Sequence, residues 1–389
     1  MAGTIRPRDA KELRQAVEWA LNDNVTLDVR GQGSKLALGK PMRCDQVLDL
    51  SGISGVVDYA PEELVVTLRA GTPLGEVEAL LAQRNQMLAF EPPDLGPLLG
   101  LEAGQGTLVG AVMGNLAGAR RVSAGAARDH LLGFSGVNGR GETFKSGGKV
   151  MKNVTGYDLS KLLAGSWGTL AVLDEVSVKV LPAPDQTRTL LLLGLADDAA
   201  VKAMCAAMGS PHNVSGAAHV AGKTALRLEG VAPSVEARLK GLRELLAASG
   251  AKMAEVGTLE SRAFWREVRD VAPLQAAGDA IVWKISCPPT EGPGIVARIR
   301  AQRPAAEAFY DWSGGLIWLA LLASADADHE IVRGALGPAG GHATLIRAAE
   351  SVRASVPVFH PQPAALAALA GRVKESFDPK RLFNPGRMG

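Results

Sequence analysis

Residues 104–115 read GQGTLVGAVMGN, with four glycines in twelve positions, and Gly118 follows shortly after. Glycine has no Cβ, so a stretch of this kind lets the backbone lie close against another group. A second glycine-containing stretch, RGQGS at residues 30–34, follows the apolar run 26–29. Backbone N–H groups that glycine leaves accessible can surround a diphosphate. We therefore expect the two stretches to form loops that bind one long ligand with several phosphate groups.

Other readings of these loops are open on the sequence alone. Residues 30–34 could be a plain surface turn after a strand, and Arg30 and Lys35 could either add charge to a site or point into solvent. Neither loop fits the phosphate-binding pattern G-x-x-x-x-G-K-[ST]. The spacing of Gly106, Gly110 and Gly114 also differs from the G-x-G-x-x-G turn of nicotinamide-dependent enzymes. A nicotinamide nucleotide is therefore disfavoured.

Composition excludes several classes of function. Forty-two basic residues nearly balance forty acidic ones, which gives no case for a nucleic-acid partner. Cys44, Cys205 and Cys287 lie far apart without a C-x-x-C pair, so we expect no metal site and no iron–sulfur cluster in this chain. The longest apolar run, Leu316 to Ala323, is far shorter than the roughly 18 to 20 residues that cross a bilayer. With a charged start at residues 1–9, the sequence predicts a cytoplasmic protein without a transmembrane segment.

The pattern of apolar residues predicts an α+β protein of two domains. A helix at 9–23 and short strands precede a break at Pro182 and Pro184, so the first domain should comprise residues 1–182. Residues 187–349 alternate short apolar runs with amphipathic helices, which we interpret as two successive ferredoxin-like β-α-β-β-α-β units in a domain of residues 183–360. Such units pack their helices on one face of an antiparallel sheet.

Several motifs resemble the FAD-binding proteins of the vanillyl-alcohol oxidase and p-cresol methylhydroxylase type. The resemblance covers residues 1 to about 182 and the tail. Its most recognisable stretch is GYDLSKLLAGSWGTLAV at residues 156–172, and GAARDHLLG at 125–133 and FDPKRLFNPGR at 377–387 add to it. The resemblance implies a two-subdomain FAD-binding domain, an α+β cap domain, and a segment 361–389 that returns to the FAD domain.

The same resemblance implies FAD as the cofactor and identifies the residues around it. The residues implied to bind FAD are Arg30, Gly31, Gln32, Gly33, Ser34, Pro92, Pro93, Gly106, Thr107, Gly110, Gly114, Asn115, Gly118, Gly165, Ser166, Gly168, Thr169, Val172 and Asn384. Relatives with covalent flavin carry a histidine near one of the two loops, and none of the six histidines here lies in either loop. We therefore expect non-covalent FAD, held by burial and many hydrogen bonds.

Stretches that include KNVTGYD at 152–158 and FYDWSGG at 309–315 extend the resemblance to flavin subunits of bacterial glycolate oxidase complexes. It implies an FAD-dependent oxidoreductase of CH–OH groups that oxidises glycolate or another small 2-hydroxy acid. The implied partners are a larger related flavin subunit and an iron–sulfur subunit, through which the protein could attach to the inner membrane.

The sequence does not mark a clear set of catalytic residues. Oxidation of a hydroxy acid needs a base near the hydroxyl group and a cation on the carboxylate, and the sequence shows no clear pair and no paired histidines. Asp311, Trp312 and His360 are the candidates to contact substrate, although packing or capping roles explain Asp311 and Trp312 as well. Two alternatives stay open: a non-catalytic assembly subunit with the same fold, and a stand-alone FAD oxidase of a sugar alcohol or lactone.

Overall fold

The computed structural model describes residues 3–148, 157–276 and 278–388. Residues 152–156 of the KNVTGYD stretch lie outside this description. The chain divides into two compact units. The first unit comprises Met1–Ala117, Gly125–Ala183 and Pro361–Gly389, and the second comprises Gly118–Ala124 and Pro184–His360.

One short segment differs from the predicted division. The sequence interpretation left residues 118–124 in the first domain, whereas the structure groups them with the second unit. The Gly118 carbonyl accepts a hydrogen bond from the indole Nε1 of Trp312 at 3.0 Å. Arg120 forms an ion pair with Glu229, with 2.7 Å between Nη2 and Oε1. These contacts join residues distant in sequence, so the local pattern could not reveal them.

The helices and strands are short and alternate along the chain. The strands of the described residues, in chain order, are β1 (Gly3–Ile5), β2 (Leu27–Arg30), β3 (Gln46–Asp49), β4 (Val56–Ala60), β5 (Val65–Arg69), β6 (Gln86–Met87), β7 (Leu131–Asn138), β8 (Thr143–Gly147), β9 (Ala171–Lys179), β10 (Leu181–Pro182), β11 (Gln186–Leu193), β12 (Gly216–Val220), β13 (Lys223–Gly230), β14 (Lys252–Val256), β15 (Ile281–Ser286), β16 (Glu307–Asp311), β17 (Leu316–Leu321) and β18 (His342–Arg347). The α-helices are α1 (Ala10–Asp23), α2 (Leu74–Ala82), α3 (Leu108–Met113), α4 (Arg121–Ala124), α5 (Ala127–His130), α6 (Leu159–Leu163), α7 (Asp197–Met208), α8 (Ala232–Leu246), α9 (Thr258–Arg269), α10 (Gly292–Gln302), α11 (His329–Gly334), α12 (Glu350–Ser355) and α13 (Ala364–Phe377).

The first unit contains two main sheets. One is the parallel sheet β1-β3-β2, and the other is the antiparallel sheet β4-β5-β9-β7-β8. Helix α1 begins after Asp9, whose side chain accepts a hydrogen bond from the Glu12 amide, and it buries Leu13 and Val17. The C-terminal tail returns to β2, where Phe383 pairs with Leu27 in parallel register. Strand β2, which leads into residues 31–35, is thereby held at its start by the C-terminal tail.

The second unit is built on one antiparallel sheet in the order β14-β11-β13-β12-β16-β17-β15-β18. Its first half follows the order β11-α7-β12-β13-α8-β14, and its second half follows β15-α10-β16-β17-α11-β18. The halves join where β12 pairs with β16, at His219 and Tyr310. This arrangement confirms the predicted pair of β-α-β-β-α-β units and the α+β class. Helix α9, which packs against β11, was not predicted.

No helix in the described ranges is long and apolar enough to cross a membrane.

Candidate functional site

A groove lies within the first unit. Its walls come from residues 29–36 after β2, residues 107–114 at α3, the turn at Trp167 and Gly168, the start of β9, and Arg387 of the tail. Both glycine stretches singled out in the sequence thus line one cavity. Among the lining residues are Gly31, Gly33, Gly110, Gly114 and Gly168, and a glycine leaves its backbone accessible.

Gly31 and Thr107 are where the two glycine loops approach each other. A Cβ placed on Gly31 would lie 2.9 Å from Cγ2 of Thr107, closer than real Cβ atoms come to other heavy atoms. Thr107 is held in place because its Oγ1 accepts a hydrogen bond from the Gly110 amide at 3.0 Å and caps α3. The close approach of the loops therefore requires glycine at position 31.

Lys35 extends the first loop into the groove. Its Nζ lies 3.3 Å from Oγ of Ser34, and a Cβ on Gly106 or on Gly110 would lie 3.6 Å from the same Nζ. Burial lowers the pKa of Lys35 to about 8; the positive charge of Arg387 acts in the same direction and Asp94 opposes it. Lys35 forms no ion pair with any described residue. The groove thus holds a cation between two glycine loops.

Asn384 ties three segments of the groove together. Its Oδ1 accepts a hydrogen bond from the Val29 amide at 2.8 Å, and its Nδ2 donates to the carbonyl of Trp167 at 2.9 Å. The same Nδ2 would lie 2.9 Å from a Cβ on Gly168, whose φ of +69° also favours glycine. Asn384 is buried and does not line the groove. Its role in the structure is to position the loops.

Arg387, which the sequence interpretation missed, closes one side of the groove. Its Nη2 donates to the carbonyl of Lys35 at 2.7 Å, and its guanidinium carbon lies 5.5 Å from the ring centre of Trp167. The Lys40 amide in turn donates to the Arg387 carbonyl. Only the fold could reveal this residue, since it lies some 350 positions from the loop that it contacts.

The predicted FAD-binding residues fall into two groups. Those that line the groove are Arg30, Gly31, Gln32, Gly33, Ser34, Thr107, Gly110, Gly114, Gly168 and Val172. Those that do not are Pro92, Pro93, Gly106, Asn115, Gly118, Gly165, Ser166, Thr169 and Asn384.

Several members of the second group have local roles. Asn115 Oδ1 accepts a hydrogen bond from the Arg128 amide, and Thr169 Oγ1 donates to the Ser166 carbonyl. Gly118 belongs to the second unit. By contrast, the buried Oγ of Ser166 has no hydrogen-bond partner among the described residues, which leaves it available for a ligand.

These features fit a flavin dinucleotide. A diphosphate would find backbone of residues 31–34 and a lysine cation in one place. No histidine, cysteine or tyrosine is among the groove residues that the structure describes. The chemistry of the groove lining therefore agrees with a bound FAD.

The second unit contains a cationic cluster around Trp312, which we define by Arg121, Lys284, Asp311, Trp312 and Trp318. The guanidinium carbon of Arg121 lies 4.6 Å from the ring centre of Trp312, and Nζ of Lys284 lies 5.3 Å from it. Nζ of Lys284 is also 5.9 Å from the ring centre of Trp318. Burial, followed by the charge of Arg121, lowers the pKa of Lys284 to about 8. Two cations thus share one indole ring.

The backbone at Trp312 is strained. Trp312 and Ser313 have φ of 49° and 62°, although neither is glycine, and both are buried. Such conformations cost on the order of 1–3 kcal/mol each and persist where the surroundings impose them. Asp311 supports the turn, because its Oδ1 accepts a hydrogen bond from the Trp312 amide at 2.7 Å. The turn fixes the indole ring against which Arg121 and Lys284 lie.

Of the three catalytic candidates from the sequence, two lie in the cationic cluster. Asp311 and Trp312 belong to it, whereas His360 lies against β18. There its Nδ1 accepts a hydrogen bond from the Ala343 amide at 3.4 Å and its ring contacts His342. Asp311 and Trp312 therefore lie together in the cationic cluster, whereas His360 lies outside it.

Sequence reasoning missed Arg121 and Lys284. A signal for Lys284 was present in the stretch IVWKIS of β15, where a single lysine interrupts a run of apolar residues. Ile281, Trp283 and Ile285 pack in the hydrophobic core of the second unit, so the alternation of a strand places Lys284 on the opposite face. No comparable signal marked Arg121.

Comparisons with known proteins agree with these observations. A family model described as an FAD binding domain matches residues 1–147. The glycolate oxidase subunit GlcE of Escherichia coli (strain K12) is 36% identical over 379 residues, with 97% of each chain covered. The glycolate oxidase subunit GlcD of Bacillus subtilis (strain 168) is 31% identical over 199 residues, which cover 51% of this chain and 41% of that protein. A solved p-cresol methylhydroxylase with substrate bound shares the fold, with a TM-score of 0.77 at 13% identity, covering 99% of this chain and 88% of that chain.

The fold and the groove together define an FAD-binding oxidoreductase. With 36% identity along nearly the whole chain, the protein belongs to the family of the glycolate oxidase subunit GlcE. The predicted cofactor, FAD, is confirmed.

Proposed function

We propose that this chain is the FAD-binding subunit of an enzyme that oxidises glycolate, or a closely related small 2-hydroxy acid, to the 2-oxo acid. The observation that carries the proposal is the convergence of both glycine loops and Lys35 on one groove. Identity to a glycolate oxidase subunit along nearly the whole chain supports the choice of substrate.

The groove residues bind and orient the cofactor in this proposal. Backbone of residues 31–34 and 106–110 holds the diphosphate, and Asn384 and Arg387 fix the loops that carry it. When bound, FAD supplies the two-electron acceptor for the carbon that carries the hydroxyl group. We further propose that FAD is held without a covalent bond, since the described lining offers no histidine, cysteine or tyrosine for a link.

The cationic cluster of the second unit suits a small carboxylate. A carboxylate is bound best by cations with hydrogen-bond donors, and Lys284 and Arg121 supply both. The Nζ of Lys284 donates no hydrogen bond to any described residue, so its donors are available. The sequence alone indicated no cation for the substrate carboxylate, and Lys284 and Arg121 are candidates for that role.

A second candidate is a flavin subunit that assembles or transfers electrons without oxidising substrate itself. The observation in its favour is the hydrogen bond that the carboxylate of Asp311, the acidic member of the cationic cluster, accepts. Oδ1 of Asp311 already accepts a hydrogen bond from the Trp312 amide, so this oxygen is less accessible as a proton acceptor. The cluster thus binds an acid more readily than it removes a proton.

We propose that the partners are a larger related flavin subunit and an iron–sulfur subunit, with the complex in the cytoplasm and any contact with the inner membrane made through these partners. GlcD, itself named a glycolate oxidase subunit, resembles about half of this chain, which supports a related flavin chain as one partner. Tagged protein purified from its native host should bring both partners with it. Recovery of the tagged chain alone under mild conditions would contradict this part of the proposal.

Anaerobic addition of glycolate to the purified chain tests the main proposal. We expect flavin absorption near one FAD per chain, release of the flavin by acid precipitation, and bleaching of the flavin by glycolate. A chain that takes up no FAD would overturn the proposal. Bound FAD that bleaches only in the co-purified complex would support the second candidate instead.

A further inference from the structure

Lys35 has an unusual position for a lysine in the first unit. It is partly buried, and its Nζ lies between the two glycine loops, 3.6 Å from where a Cβ of either Gly106 or Gly110 would be. Its hydrogen-bond partner is the neutral hydroxyl of Ser34. A desolvated ammonium group without an anion is unfavourable, so the groove is built for a negatively charged ligand at this point.

The charged groups around Lys35 do not neutralise it. Asp94 is the acid whose field reaches it, but the Asp94 carboxylate is engaged by the amides of Gly96 and Gly104. Arg387 adds positive charge, and Arg30 of the same groove pairs with Asp28. Burial and Arg387 therefore leave Lys35 with a pKa of about 8.

A purely structural role for Lys35 explains these observations less well. A structural lysine gains stability from an ion pair or from several carbonyl acceptors, as Lys374 does with Asp378 and the Thr169 carbonyl. Lys35 has neither. Its burial weakens the folded chain unless a ligand compensates, and residues of this kind are typical of binding sites.

We propose that Lys35 is the side-chain cation that neutralises the FAD diphosphate, and that FAD binding at alkaline pH is accompanied by uptake of one proton on Lys35. This inference rests on the proposed position of the diphosphate between the two loops. A neutral lysine must gain a proton before it can pair with the diphosphate, so the affinity for FAD falls as the pH rises above the pKa of Lys35 in the empty groove. Below that pKa, the affinity should be independent of pH.

The dissociation constant of FAD, measured by flavin fluorescence between pH 6.5 and 9.5 with the full chain, tests this inference. For wild type we expect an increase of about thirtyfold from pH 7 to pH 9.5, the ratio for one proton with a pKa near 8 in the empty protein. Lys35→Met should bind FAD more weakly at pH 7 and show no such increase. Lys35→Arg keeps its charge at every pH tested, so its affinity should be nearly constant.

Lys40→Met is the matched control, because Lys40 lies in the same segment and its side chain makes no hydrogen bond or ion pair with the described residues. It should retain the pH dependence of wild type. Circular dichroism at each pH checks that the variants remain folded. A thirtyfold increase that persists in Lys35→Met would overturn the inference, as would pH-independent binding by wild type. A wild-type chain that fails to bind FAD at any pH would instead overturn the proposed function.

Discussion

The groove of the first unit and the cationic cluster of the second unit both contain a partly buried lysine whose pKa is lowered to about 8. They are built differently. The groove surrounds Lys35 with backbone that glycine leaves open, whereas aromatic rings flank Lys284 and a second cation lies nearby. A backbone site suits a diphosphate, which can accept many N–H groups, and a side-chain site suits a small carboxylate. The two lysines should therefore respond to different ligands.

Replacing the lysine of the cationic cluster should give the largest functional effect. Lys284→Met removes a charge from the proposed carboxylate site, so kcat/KM for glycolate should fall by about 30- to 100-fold, while the affinity for FAD stays within about twofold of wild type. Steady-state kinetics of the co-purified complex and an FAD titration measure the two quantities. Lys223→Met, at the exposed start of β13, is the matched control and should leave both unchanged. If Lys284→Met lost affinity for FAD by the same factor as kcat/KM, the result would contradict the proposal that the two sites bind different ligands.

A Cβ added where the two glycine loops meet should weaken the binding of FAD. In Gly31→Ala the new Cβ would lie 2.9 Å from Cγ2 of Thr107, and overpacking of this kind costs about 1–3 kcal/mol. We expect the dissociation constant of FAD to rise by about tenfold or more. Gly75→Ala in α2 is the control, since a Cβ there meets no atom within 4 Å. If both variants bind FAD like wild type, the loops do not have to meet at Gly31.

Removing the side chain that ties the groove segments together should reduce stability. Asn384→Gly keeps the positive φ of 42° accessible but leaves the partly buried Val29 amide without its acceptor, which costs about 1–3 kcal/mol. Urea denaturation of the FAD-free protein should show a lower midpoint with an unchanged slope. An unchanged midpoint would mean that the hydrogen bonds of Asn384 contribute nothing to the groove.

The smallest expected effect is common to both lysines. Each has a pKa near 8 in the folded chain and about 10.5 when unfolded, so the unfolded chain binds more protons between these values and stability rises with pH there. At pH 7 the buried charge is destabilising, so Lys35→Met and Lys284→Met should each melt higher than wild type by on the order of a few degrees without ligand. The difference should shrink as the pH rises from 8 towards 10. Thermal melts of both variants at several pH values check this, and a lower melting temperature at pH 7 would contradict it.

Much of the fold could be predicted from the sequence because its helices and strands follow from patterns of neighbouring residues. The alternating runs of residues 187–349 correspond to strands and helices of the second unit, and the helix at 9–23 is α1. The cap by Asp9 and the apolar spacing of α1 are properties of neighbouring residues. Glycine spacing likewise indicated the two loops, because an accessible backbone favours glycine at those positions.

The remaining features depend on residues brought together by the fold. The assignment of residues 118–124 to the second unit rests on contacts with Trp312 and Glu229, more than a hundred positions away. Arg387 reaches Lys35 from the end of the chain, and Arg121 meets Lys284 only after the sheet of the second unit has formed. Residues of such sites are far apart in the sequence, so they form no motif that could be recognised from one sequence alone.

Hydrogen exchange of the full chain with and without FAD tests most directly whether a dinucleotide diphosphate is held between the two loops. We expect slower exchange of backbone amides in residues 31–35 and in residues 106–110 when FAD is bound. Binding of FAD with unchanged exchange in both segments would contradict it.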